Sequence, residues 1–476
     1  MTTLTLSNGR VRGGTTDGID HYLGIPYAAA PVGELRFALP AVHPGWSGER
    51  DATTLGATAP QAAYRGAIAE LLPTVQIPGE EFLNVNVWTP SGASGLPVMV
   101  WVHGGSFAHG SNALSGYDGT SFARDGVVYV AVNYRVGSEG FSVIDGAPLN
   151  LGVADVIAAL RWVQLEIAAF GGDPNNVTVF GQSAGSILLS AIVAHADAAS
   201  LFARAILMSG APSALAKSDA AKISLLQAKR LGIAATRDDF ATISADRLVT
   251  AADEVMAGGT PITGGPSFGP AIGEDIVPVD PLKAILGGAG KDIPLLFGST
   301  SEEYRLWFVP SGLIDKISAA LFAAARAKFR ITGRILKPYR TNRPGASRGE
   351  LFGALATDIL LRLPINRIAD ARLAIGASTH VYEFTWPSPV QKLGAAHAIE
   401  LGFVFDGIAN QDWARLVGEA APQQLANDMH RAWVAFAKTG DPGWEPWHAR
   451  RPVQTFDAPA SAVVYSPREG ERAAWG

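Results

Sequence analysis

With 476 residues, 48% of them hydrophobic and 17% charged, the chain can bury a large core, and its length suits one α/β enzyme fold as well as two or three domains. A formal net charge of −5 is mild at this size and argues against nucleic acid or an anionic membrane surface as the main partner. The absence of cysteine excludes disulfides and thiol-based redox or metal chemistry. The opening residues, MTTLTLSNGRVRGG, have neither the basic start nor the apolar stretch of a secretion signal. No apolar run approaches the roughly 18 residues of a membrane span, so the expectation is a soluble cytoplasmic protein. Further along, β-rich runs alternate with helical ones: LPVMVWV ending at Val102, VVYVAV at 127–132, VTVF at 177–180 and AILM at 205–208. That alternation predicts a mostly parallel sheet with helices on both faces and functional loops at the carboxyl ends of the strands. IPLLF at 293–297 and HVYEF at 380–384 read as two later strands, with helical stretches at 315–330 and 348–363 between them. Without an internal repeat or a low-complexity linker, the reading is one domain over 1–476 with a helical insertion at about 305–375. Those helices fit a cap over the sheet or ordinary packing equally well.

Three stretches match G-x-S-x-G: GQSAG at 181–185, GPSFG at 265–269 and GASRG at 345–349. A nucleophilic serine needs a strand, a sharp turn and a helix directly behind it. Only the first offers them, between NVTVF and SILLSAIVAHA, so Ser183 is the candidate. Prolines on both sides of Ser267 make a loop there, and Ser347 with Glu350 spells a helix capping box.

A serine hydroxyl needs an imidazole to accept its proton and a carboxylate to orient that imidazole, in the chain order serine, acid, histidine. His21, His43, His103 and His109 precede Ser183, His195 lies along the helix behind it, His380 is in a strand, His430 follows a helical stretch and His448 is in the tail. His397, in the loop KLGAAHAIELGF, has the right position, although an ordinary loop histidine bonded to backbone would fit that position as well. The acid belongs after IPLLF, where Glu302 and Glu303 are adjacent. WVHGGSF at 101–107 ends a strand with histidine and two glycines, the esterase type of loop whose backbone N–H groups hold an oxyanion.

With these residues in place, the chain resembles the type B carboxylesterase family, the group that includes cholinesterases and bacterial nitrobenzyl esterases. YLGIPYAAAPVGELRF, NYRVGSEGF, FGGDPNNVTVFGQSAGS and AWVAFAKTGDP match its blocks in order, nearly end to end. The resemblance implies the α/β-hydrolase fold, Ser183 as nucleophile, Glu303 as acid and His397 as base. It also implies oxyanion donors at Gly105, Ser106 and Ala184, support from Ser209, and ion pairs Arg36–Glu80 and Arg135–Asp173. The cysteine pair of animal relatives is replaced by Ala59 and Phe82, and the loop between has one tyrosine and no tryptophan. Cholinesterases hold quaternary ammonium there by cation–π attraction, so a choline ester is a poor fit. Gln182 replaces the usual glutamate before the nucleophile, which weakens the case for cations further. Ser106 stands where glycine or alanine is usual, and Ala398 and Gly402 replace a common glycine and proline near the histidine.

The expected reaction is two-step hydrolysis of a small-molecule ester through an acyl-enzyme, needing no metal or organic cofactor, with activity falling as His397 protonates. A monomer is compatible with this reading. A carbamate or amide hydrolase would use the same residues, and a catalytically silent binding module would keep the fold but lose a triad member, which this chain does not. Phe107, Trp307, Phe308, Phe403 and Phe405 lie close in sequence to these residues and are candidates for an apolar pocket or for ordinary core.

Overall fold

The structure, a computed structural model, describes residues 2–257, 259 and 264–476. Its centre is an eleven-stranded sheet, with a small three-stranded sheet at the N-terminus. In chain order the strands are β1 Thr3–Leu6, β2 Gly9–Arg12, β3 Gly14–Thr16, β4 Ile19–Pro26, β5 Glu49–Asp51, β6 Asn84–Pro90 and β7 Leu96–Val102. They continue as β8 Val128–Val132, β9 Gly172–Gln182, β10 Arg204–Met208, β11 Leu295–Thr300, β12 Thr379–Phe384, β13 Pro452–Phe456 and β14 Ala462–Tyr465. The large sheet runs β14-β13-β12-β11-β10-β9-β7-β8-β6-β4-β3, and β1, β2 and β5 form the small one. From β8 through β13 every neighbouring pair is parallel, and the two ends of the sheet are antiparallel.

The central strands are covered on both faces. Val98 to Val102 of β7 and all of β8 and β11 are buried, which is why they read as continuous apolar runs without alternation. Helices α1 (Leu151–Glu166) and α2 (Ala184–Val193) pack against them. Both strands and helices at the expected positions are present, with β9 longer than VTVF alone. Between β11 and β12 come α3 (Ala319–Lys328), α4 (Gly333–Asn342), α5 (Arg348–Thr357) and α6 (Leu363–Ala374). A further long helix, α7 (Gln423–Thr439), precedes β13. The insertion has an apolar core of its own, built from Ile317, Phe322, Ile335, Leu336, Tyr339 and Leu355. Among the described residues no helix is long and apolar enough to cross a membrane.

Two ion pairs differ from those the resemblance implied. Arg36 reaches Glu139 at 2.6 Å, and Glu80 is exposed. The guanidinium of Arg36 sits over the helix at 137–141 and also donates to the carbonyls of Ala241 and Ile243, which fixes its direction away from Glu80. Arg135 pairs with Asp155 on the inner side of α1, not with Asp173. Asp155 receives the backbone N–H of Arg135 as well as two guanidinium bonds, and both groups are cut off from water. Asp173 instead accepts the backbone N–H of Asn175 in its own turn.

Candidate active site

The parallel register brings four loops together at the carboxyl ends of neighbouring strands. β9 ends at Gln182, and α2 begins at Ala184, leaving Ser183 alone at the turn with φ 57° and ψ −123°. A non-glycine residue is held in that region only when its surroundings over-determine it. Here they do: a Cβ on Gly185 would lie 2.1 Å from the Val102 carbonyl oxygen, so only glycine lets β7 and α2 come this close around the serine. Ser183 donates its backbone N–H to Met208, which ties the turn to β10.

The end of β7 supplies the second loop. Gly105 has φ 117°, and a Cβ there would sit 2.2 Å from the His109 carbonyl oxygen. Ser106 and Phe107 follow in the left-handed region, at 55° and 61°. Tyr134 steadies the loop by donating to the His103 carbonyl at 2.8 Å and stacking on the His103 ring. Gly105 and Ser106 line the same cleft as Ser183. The backbone N–H of Ala184 is the first of α2, ahead of any helical acceptor.

The loops after β11 and β12 complete the group. Glu303 is buried and both of its oxygens are occupied: Oε1 accepts the Thr300 N–H at 2.8 Å, and Oε2 accepts from His397 Nδ1. Its neighbour Glu302 faces the other way, toward the Ala395 N–H and Arg305. Of the two adjacent carboxylates, only Glu303 touches the imidazole. His397 is 6% exposed, its ring 4.8 Å from that of Trp307. With a carboxylate on Nδ1, the ring proton resides there and Nε2 presents its lone pair. The amide nitrogen of Gln182 is 3.1 Å from that Nε2 and donates to it. Among the described residues no hydrogen bond joins Ser183 Oγ to His397, and catalytic hydrogen bonds are often made only once substrate is bound.

Near Glu303 lies Glu400, fully buried, which the sequence reading did not single out. Its Oε1 accepts from Ser209 Oγ at 3.2 Å, and among the described residues its Oε2 has no hydrogen-bond partner. Burial, reinforced by the nearby Glu303 carboxylate, pushes this carboxyl up to about 8, so it is protonated at neutral pH. Residues 397–400 form a turn in which Ala398 has φ 68°, so no helical spacing marks Glu400 in the sequence.

The other candidates are placed elsewhere. Ser347 caps α5 with Glu350 completing the box, and Ser267 is an exposed loop residue. His380, buried in β12, is driven down to about 4 by desolvation, and His448 pairs with Glu445 at 2.9 Å. Of the five aromatic candidates, Trp307 lines the cleft. Phe107 packs on Phe141, Phe308 on Phe352, Phe403 on Phe384 and Phe405 on Trp101. Tyr64, Tyr117 and Trp413 supply the remaining aromatic wall. Among the described residues no Asp, Glu, Lys or Arg lines the cleft.

A model of the carboxylesterase family matches residues 1–455. The para-nitrobenzyl esterase of Bacillus subtilis is 36% identical over 458 residues, covering 93% of this chain and 91% of that protein. The phenmedipham hydrolase of Pseudarthrobacter oxydans is 33% identical over 481 residues, covering 98% and 95%. The crystal structure of the Geobacillus stearothermophilus carboxylesterase EST55 superposes with a TM-score of 0.89 at 34% identity, over 100% of both chains.

Proposed function

Since this chain belongs to the carboxylesterase family and is a carboxylic ester hydrolase, we propose that its chemistry is carried by Ser183, His397 and Glu303, with backbone N–H groups of Gly105, Ser106 and Ala184 as oxyanion donors. The observation that carries the reading is the imidazole bonded through Nδ1 to a carboxylate with no free oxygen, at the cleft that holds Ser183 in a strained turn between β9 and α2.

Glu303 fixes the tautomer, so Nε2 is the basic nitrogen. When an ester enters, the Ser183 hydroxyl replaces the Gln182 amide at Nε2 and passes its proton there as Oγ attacks the carbonyl carbon. The oxygen of the tetrahedral intermediate takes up charge against the three backbone donors, each typically worth about 100- to 1,000-fold in rate. Nε2 then protonates the departing alcohol oxygen, the C–O bond breaks, and an acyl-Ser183 ester remains. Water, deprotonated by His397, attacks the acyl carbon in the same way and returns Ser183. Because the cleft is aromatic and uncharged, the substrate is an uncharged ester with apolar acyl or alcohol groups.

Intact-mass spectrometry after treatment with a nitrophenyl phosphonate ester tests the assignment. The expected result is one phosphonyl group on the wild type, one equivalent of nitrophenol released, and no adduct on Ser183→Ala. Equal labelling of both proteins would refute Ser183 as the nucleophile.

A further inference from the structure

The helical insertion carries a face that ester hydrolysis does not use. α3 buries Phe322 in the insertion's core and turns most of its other side chains outward. That outward face is apolar: Ala319, Ala320, Leu321, Ala323, Ala324 and Ala327 are all exposed, Leu321 at 48%. A surface helix ordinarily presents charged and polar residues to water. Phe329, 38% exposed, continues the strip beyond the end of α3, with Lys328 Nζ 5.3 Å from its ring.

The chain that carries and follows the strip is strongly basic. Residues 316–348 hold nine Lys or Arg and no Asp or Glu, within a chain whose formal net charge is −5. The mild total therefore conceals a stretch of chain of one sign. Arg343 is occupied by Glu471. Arg330, Arg334, Lys337, Arg340 and Arg348 are exposed, and among the described residues none of them has an ion-pair partner.

We propose that this face docks on an anionic lipid surface, with Leu321 and Phe329 among the acyl chains and the basic side chains following α3 on the headgroup phosphates. An apolar strip beside a basic border is what an interfacial helix needs. A nucleic acid backbone would satisfy the cations but leave the strip of alanine, leucine and phenylalanine without a partner. A second copy of this chain would bring two positive faces together at the strip. The docking reading stands apart from the assignment of Ser183, His397 and Glu303, because none of those residues touches this face.

Co-sedimentation of the full-length protein with vesicles of phosphatidylcholine, alone or mixed with phosphatidylglycerol, tests it. The wild type pellets with the mixed vesicles and not with pure phosphatidylcholine, and added salt releases it. Combining Arg330→Gln, Arg334→Gln, Lys337→Gln and Arg340→Gln lowers partitioning about 100- to 1,000-fold. Combining Leu321→Gln and Phe329→Gln lowers it about tenfold or more. In Phe329→Trp, emission moves to the blue on mixed vesicles only. Both combined variants keep the wild-type rate on a soluble nitrophenyl ester, which shows that they fold. Wild type that stays in the supernatant, or pelleting unchanged by either combination, would overturn the proposal. So would binding to duplex DNA without binding to vesicles, or self-association abolished by Leu321→Gln and Phe329→Gln in a protein that ignores vesicles.

Discussion

Replacing Glu400 with glutamine should change how stability depends on pH. In the folded protein the Glu400 carboxyl is fully buried, with one bond from Ser209 and, among the described residues, no partner for its second oxygen, and it is pushed up to about 8 from an ordinary value of 4.5. The folded protein thus holds this proton more tightly than the unfolded chain does. The resulting stabilisation is fully present below the unfolded value and is lost progressively as pH rises through about 8. At about 1.4 kcal/mol for each pH unit in which the unfolded chain has released the proton and the folded protein has not, the wild type loses on the order of 4 kcal/mol between pH 5 and pH 9. Glutamine cannot ionise, so Glu400→Gln escapes this loss. Chemical denaturation of both proteins across that range measures it. The variant-minus-wild-type difference should move in favour of the variant by that order of magnitude as pH rises. Parallel curves would mean that Glu400 is ionised, or equally solvated, in the folded protein, and the reasoning from its burial would fail.

Three further outcomes follow from the same contacts. Glu303→Gln should lower kcat by about 10⁴-fold, by removing the carboxylate that sets the His397 tautomer, whereas Glu302→Gln should stay within about threefold of wild type; steady-state kinetics of both variants on one nitrophenyl ester distinguish them. Gln182→Glu places a carboxylate at His397 Nε2, which favours the protonated ring, so the acid limb of kcat/KM should move to higher pH by about one unit, while Gln182→Met leaves the limb in place. Equal pH profiles for those two variants would show that residue 182 does not act on the imidazole. Arg135→Met leaves Asp155 buried without its partner and should destabilise the fold by about 3–5 kcal/mol in urea unfolding, while Arg124→Met at an exposed pair should cost less than about 1 kcal/mol.

The central fold was legible because it is local chemistry repeated: β7, β8 and β11 are apolar runs bounded by turn residues, and the elbow needs only a strand, two glycines and an apolar helix in immediate succession. The short N-terminal strands were not. GRVR and GTT carry too few apolar side chains for a period to show, although each pairs with a strand next to it in the chain. Choosing between Glu302 and Glu303 also lay beyond local reasoning, since one faces Arg305 and the other His397 although they are adjacent. The aromatic cleft wall failed for a related reason. Trp307 and Phe308 are consecutive in a helical turn, so their side chains diverge by about 100°, one into the cleft and one toward Phe352. Nearness in sequence therefore says little about which residue lines a site. The ion pairs of Arg36 and Arg135 show the same limit, because a buried guanidinium takes the acid that the packing presents to it.

Around His397 these residues have one electrostatic effect. A general base must rest without its proton, yet it needs a carboxylate on Nδ1 to stay oriented. One negative charge against the ring meets that need, and a second would favour the imidazolium and empty Nε2 of its lone pair. Two positions here could supply that second charge, and neither does. Residue 182, 3.1 Å from Nε2, is an amide that donates to the lone pair rather than a carboxylate that would accept from a proton there. Glu400, near the Glu303 carboxylate, is sealed from water and keeps its proton at neutral pH. The two devices differ in reach: the amide is neutral at every pH, whereas Glu400 ionises in mildly alkaline solution. A second charge near the Glu303–His397 pair therefore arises only in mildly alkaline solution, and below that range Glu303 alone carries the negative charge against the ring.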